Sequence, residues 1–121
     1  MSTNTFFRTT KAHTFTVRKF FKLVATDIEA QLREWDASYC VEVETWRTYA
    51  LSIRRNDEEE FRVALSKNEV ELLQHMHPYA LDEKLWAMLE KKGLEVQDIS
   101  EYIYLILNYD VMRRDRMKLA R

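Results

Sequence analysis

One glycine and one proline punctuate all 121 residues, against average usage of roughly 7% and 5%. Chain reversals must therefore be made by ordinary residues or by helix ends. Phosphate-cradling loops and nucleophile elbows need glycine's backbone freedom, so nucleotide-binding mechanisms built on them are excluded. Gly93 and Pro78 fall where helices should end. The chain left by these constraints is one of helices and short hairpins with few breaks.

The length fits one domain with one continuous core. With 46% hydrophobic and 32% charged residues, the composition is that of a folded chain rather than a disordered one. The longest apolar run, Tyr102 to Leu107, is far short of the ~20 residues of a membrane span, so no membrane partner is expected. The lone Cys40 excludes an internal disulfide framework and fits a reducing compartment. No secretory leader is recognisable, and a cytoplasmic location is expected. The Thr-rich, acid-free start has the composition of an organellar transit peptide, but from Val17 onward the chain reads as a core helix, which a removable leader would not supply.

Residues 1–15 show no clear period and read as an N-terminal arm or a short edge strand. The remainder, 16–121, reads as a single α+β domain. Val17, Phe20, Phe21, Val24, Ile28, Leu32 and Trp35 recur at three- and four-residue steps and predict a helix over 17–35, with Thr16 as its N-cap. The period then becomes two. Tyr39, Val41 and Val43, then Tyr49, Leu51 and Ile53, then Phe61, Val63 and Leu65 predict strands near 39–45, 48–54 and 60–65. The polar stretch from Arg55 to Glu59 suits a hairpin between the last two.

Ser66 and Glu69 form a capping box ahead of a helix over 67–77, with Val70, Leu72, Leu73 and Met76 turned inward and Pro78 as its stop. A second short helix fits 82–92, capped by Asp82 and closed by Gly93 and Leu94 in a Schellman ending. Over 102–109 a helix and a buried strand compete. The Asp98–Glu101 box and the absence of Gly or Pro beyond it favour a helix from about 99 to 118. The expected fold is a long N-terminal helix on a small three-stranded antiparallel sheet, followed by about three helices.

Charge is segregated along the chain. Residues 1–26 carry five bases and no acid, residues 112–121 five bases and one acid, and the middle 19 acids against nine bases. Arg18, Lys19, Lys22, Arg113, Arg114, Arg116 and Lys118 are the candidates for a nucleic-acid or other polyanion contact. The competing readings are dipole compensation at a helix end and pairing with the acidic middle. Glu71, His75 and His77 are the metal-ligand candidates, but i, i+2 spacing turns the two histidines apart, and His13 and Cys40 would have to arrive from elsewhere to complete a site. No cofactor is expected. Glu42 and Glu44 share the strand face of Cys40 and disfavour its thiolate, so it reads as a packing residue. The run Asp57–Glu60 reads as a solvated loop.

An all-round apolar segment at 102–107 needs cover on every side, which makes Tyr102, Tyr104, Ile106 and Tyr109 interface candidates. The expected function is accordingly a non-enzymatic protein-protein interaction or regulatory protein, with a homodimer its simplest form. Nucleic-acid binding through the basic segments is the alternative, and a small metal-dependent enzyme a more distant one.

Overall fold

The computed structural model describes residues 2–97 and 100–107. Helices α1 (Ser2–Thr14) and α2 (Val17–Trp35) precede strands β1 (Tyr39–Thr45), β2 (Tyr49–Arg55) and β3 (Glu58–Leu65). Helices α3 (Lys67–Met76) and α4 (Ala80–Lys91) follow, and α5 occupies 101–107. The fold is α+β, as the periodicity predicts.

The strands form an antiparallel sheet in the order β1-β2-β3. α2 lies along β1 and α4 along β3. Between helices and sheet, Phe20, Phe21, Val24, Ile28 and Leu32 pack with Leu51, Ile53, Val63, Leu81, Leu85 and Leu89 in one core. The other sheet face carries cross-strand ion pairs, Arg54 with Glu42 and Arg62 with Glu44. Arg62 also donates to Ser52 at 3.1 Å, so long side chains cover the small Ala50 and Ser52 of the central strand, both buried. The outer edge of β1 is partly occupied as well: the Glu29 carboxylate accepts from the Val41 N–H at 2.8 Å.

The β2–β3 hairpin turns without glycine. Asn56 and Asp57 both adopt positive φ, 53° and 66°, in a two-residue loop between the paired Arg55 and Glu58, the conformation that matches strand twist in a tight hairpin. β3 therefore starts at Glu58, two residues before the expected boundary. The register slips between Ile53 and Arg54, leaving Glu60 as the extra residue of a bulge, where it pairs with Arg55 at 2.7 Å.

Helix caps follow the sequence in three of five places. Thr16 accepts from the Lys19 N–H and Ser66 from the Glu69 N–H, each at 3.2 Å. Gly93 takes φ +111°, and the bonds Gly93 N–H to Glu90 C=O and Leu94 N–H to Leu89 C=O complete the Schellman ending. Asp82 is not a cap: α4 begins at Ala80 after Tyr79, and Asp82 lies in its first turn, fully buried. At α5 the cap is Ser100, whose hydroxyl accepts from the Ile103 N–H at 3.2 Å. The segment after it is helical through 107. Asp98, Ile99 and everything beyond 107 lie outside the described residues.

Two further expectations are corrected. Residues 2–14 are a helix rather than an arm or strand. A search for apolar period misses it because its buried stripe runs through Arg8 and Ala12, an arginine followed one turn later by the smallest apolar side chain. Leu72 and Met76 face outward, not inward. α3 has apolar residues on two faces, and it buries the one carrying Val70 and Gln74. The Gln74 amide donates to the Ala12 and Phe15 carbonyls at 3.0 and 2.8 Å, using the orphan acceptors at the C-terminus of α1.

Candidate functional site

Among the described residues, the largest assembly of ionisable side chains in the interior is built around Arg8. α1 delivers its guanidinium into the space between α2 and α4, where it donates to Asp27 and Asp82 and to the Pro78 carbonyl at 3.2 Å. The same group lies over the Tyr79 ring, 4.9 Å from its centroid. α5 closes the cluster: the Tyr102 hydroxyl donates to Asp82 at 2.6 Å and accepts from the Trp86 indole N–H at 3.2 Å. Four helices thus meet at one ionic and hydrogen-bonded centre.

Burial opposes each charge here, and the neighbours answer it. For Arg8 the loss of hydration works against the cation, but Asp82 and Asp27 outweigh it and hold the guanidinium charged. Burial pushes the Asp82 carboxyl up against the pull of Arg8 and Tyr102. Burial and the adjacent Asp82 push the Tyr102 hydroxyl well above its ordinary value. Arg8, Asp82 and Tyr102 have their polar groups engaged by one another, by Asp27, by Trp86 and by Pro78, which suits a latch between helices better than proton transfer to a substrate.

Beside the cluster lies a cleft of about 530 Å³. Its floor is the Leu23, Asp27, Ala30 and Gln31 side of α2, and Phe7 with Lys11 and Tyr102 with Leu105 form opposite walls. The buried Gln31 accepts from the Ser100 hydroxyl and so ties the start of α5 to α2. Lys11, Glu34 and Glu101 carry charge of both signs at the cleft.

The metal candidates do not converge. Glu71 and His75 are exposed on the outer face of α3. The His77 ring turns inward, with Nδ1 accepting from the Tyr79 N–H at 3.2 Å and Nε2 3.5 Å from Glu83. Among the described residues no three His, Cys, Asp or Glu side chains group as a metal site would. Cys40 is exposed rather than a packing residue. Its position on the solvated sheet face follows from the alternation that buries Tyr39.

Arg18, Lys19 and Lys22 are exposed in the first two turns of α2, with the Lys19 ammonium 5.1 Å from the Phe15 ring centroid. Arg113, Arg114, Arg116 and Lys118 lie outside the described residues. The interface candidates are split. Ile106 belongs to the interior with Ile103 and Leu105, and the partly buried Tyr102 packs against it, so the chain itself covers the inward face of α5. Tyr104 is exposed, and Tyr109 lies outside the described residues.

Leu107 is exposed on α5 as well, and further exposed apolar surface lies on other elements. Leu72 and Met76 are 69% and 60% exposed, one turn apart on α3. Phe6 and Phe7 are exposed on α1, and Trp46 stands at the tip of the β1–β2 hairpin. The signal in the sequence was the pair of apolar stripes on α3, Val70 with Leu73 and Leu72 with Met76. Nothing local says which of them is buried.

No protein-family model matches the chain, and neither a curated protein nor a solved structure matches it.

Proposed function

We propose that this chain is a non-enzymatic protein-interaction domain that docks through the outward face of α3. The observation that carries the reading is the exposure of Leu72 and Met76 on a helix whose opposite face is buried and whose N-terminus is capped. Those two side chains contribute little to the fold as it stands, yet each offers roughly 1.5–3 kcal/mol if a partner covers it. Asn68, Glu71 and His75 border them, a polar rim around an apolar centre, which is the anatomy of a docking patch. The internal engagement of the Arg8 cluster supports a structural rather than a chemical role for the interior. The exposed thiol of Cys40 suits a reducing, cytoplasmic setting.

The test is a photo-reactive phenylalanine analogue at position 72 in cells, with position 64 on the solvated sheet face as control. The expected result is an adduct specific to position 72, whose identified partner, once purified, binds the wild type and loses at least tenfold in affinity on Leu72→Asp. Equal labelling at 64 and 72, or a purified partner indifferent to Leu72→Asp, would overturn the reading.

A second reading has its own observation. Arg18, Lys19 and Lys22 crowd the N-terminal turns of α2, which have no acid in the first turn, so they oppose the helix dipole. Among the described residues no ion pair at 4 Å or less relieves them. Polyanion binding would put that arrangement to use. Anisotropy of short DNA and RNA probes should then show binding that weakens steeply with salt and falls when the three become Ala. No binding at low salt removes this reading.

A further inference from the structure

α1 is held to the rest of the chain more by polar contacts than by apolar ones. Of its side chains from Phe6 onward only Arg8 and Ala12 are buried, while Phe6 and Phe7 are exposed. Ala12 offers little apolar area, so the hydrophobic effect holds α1 far less than α2, whose buried stripe runs from Phe20 to Leu32. Its polar ties include Arg8 to Asp27, Asp82 and the Pro78 carbonyl, and Gln74 to the Ala12 and Phe15 carbonyls. Lost hydration opposes them. Arg8 and Asp82 give up water to meet, which cancels much of their attraction. Gln74 Oε1 is buried with no hydrogen-bond partner among the described residues, a further cost of the closed arrangement.

We infer that α1 is a releasable strap, which leaves the groove between α2 and α4 as one unit while α2, the sheet, α3 and α4 stay folded. Phe15 and Thr16 are the whole connection between α1 and α2, and Thr16 caps α2 through the Lys19 N–H without help from α1. Release hydrates Arg8, Asp27 and Asp82 together, so no charge is left alone in the interior. It uncovers the Phe20 and Tyr79 rings over which the guanidinium lies, and it removes the Phe7–Lys11 wall of the cleft. The closed strap thus shields an aromatic groove with Asp82 at its base. Arg8 sets how often that groove opens.

Amide hydrogen exchange of the full chain, with urea raised in steps below the unfolding transition, tests the inference. An element that opens by itself exposes little surface and responds weakly to urea, whereas global unfolding responds steeply. The amides of residues 9–14 should share one protection factor, at least about thirtyfold below that of β2, with a shallow urea dependence. Arg8→Met should lower that shared factor at least about tenfold. Asp27→Asn, at the half-exposed end of the cluster, should lower it at least about threefold and serves where Arg8→Met does not fold. Amides of α1 with the protection and steep urea dependence of β2 would mean that α1 leaves only when the whole chain unfolds, and overturn the inference. So would protection that falls residue by residue toward Ser2, the pattern of a fraying end, or an α1 indifferent to both variants.

Discussion

Arg8 is the residue on which the arrangement of helices most depends. It is buried with Asp82, so removing one partner leaves an uncompensated interior charge at a cost of about 3–5 kcal/mol, while removing both is far cheaper. Arg8→Met and Asp82→Asn should each destabilise by about that amount in urea unfolding. The double variant should lose at least ~1 kcal/mol less than the sum of the singles. Strict additivity would mean that the two groups do not act as a pair. Nothing in the sequence marked Arg8, because a period search scores arginine as surface, and Asp82 imitated a cap for the same reason. Both become legible only when the fold brings positions 8, 27 and 82 together.

A second residue-scale effect lies at Asp36. The Ser38 hydroxyl and its backbone N–H bond the Asp36 carboxylate, with Arg55 adding to them, and hold its pKa below the usual Asp value. A depressed folded pKa contributes stability above the ordinary Asp value, and that contribution is lost as pH falls through the depressed one. Ser38→Ala should raise the Asp36 midpoint toward the ordinary value in an NMR titration and flatten the acid limb of stability. An unmoved midpoint would assign the depression to the residue-38 backbone N–H and Arg55 instead.

Helices and strands with a single apolar stripe were legible. α2 and the three strands follow their periods, and Thr16, Ser66 and Gly93 end or begin helices where local chemistry says they should. α1 and α3 were not, for opposite reasons. α1 has too little apolar stripe to detect, and α3 has two and no local rule for choosing.

Two predictions belong to element ends. A Cβ on Gly93 would lie 4.0 Å from Phe61, in ordinary contact, so the cost of Gly93→Ala is the positive φ alone. The expected loss is about 1–2 kcal/mol by urea unfolding, and no loss would mean that the α4 ending relaxes freely. Lys19 occupies the third position of α2, where Glu would complete a capping box with Thr16. That gain, with relief of the dipole, is about 1 kcal/mol, against roughly 0.5 kcal/mol for the exposed contact with Phe15. Lys19→Glu should therefore raise Tm by about 2 °C. A lower Tm would show that the cation-π contact dominates.

At the scale of the molecule, helices cover one face of the sheet, charged side chains solvate the other, and the ionic centre fastens α1, α2, α4 and α5 together. That division leaves the outer face of α3 as an apolar surface with no part in the core. The interior takes in Ile103, Leu105 and Ile106 of α5, while Tyr104 and Leu107 remain exposed. The proposed docking surface is two elements earlier, on a stripe the sequence had assigned to the interior. The proposed docking role separates association from folding and assigns Leu72 and Met76 to the first. The most direct measurement is the urea unfolding free energy of Leu72→Ser/Met76→Ser at low protein concentration. The expected value lies within about 0.5 kcal/mol of the wild type, as for other exposed positions. A loss of about 2 kcal/mol or more, the size expected for truncating buried side chains, would place both residues in the monomer's own packing and contradict it.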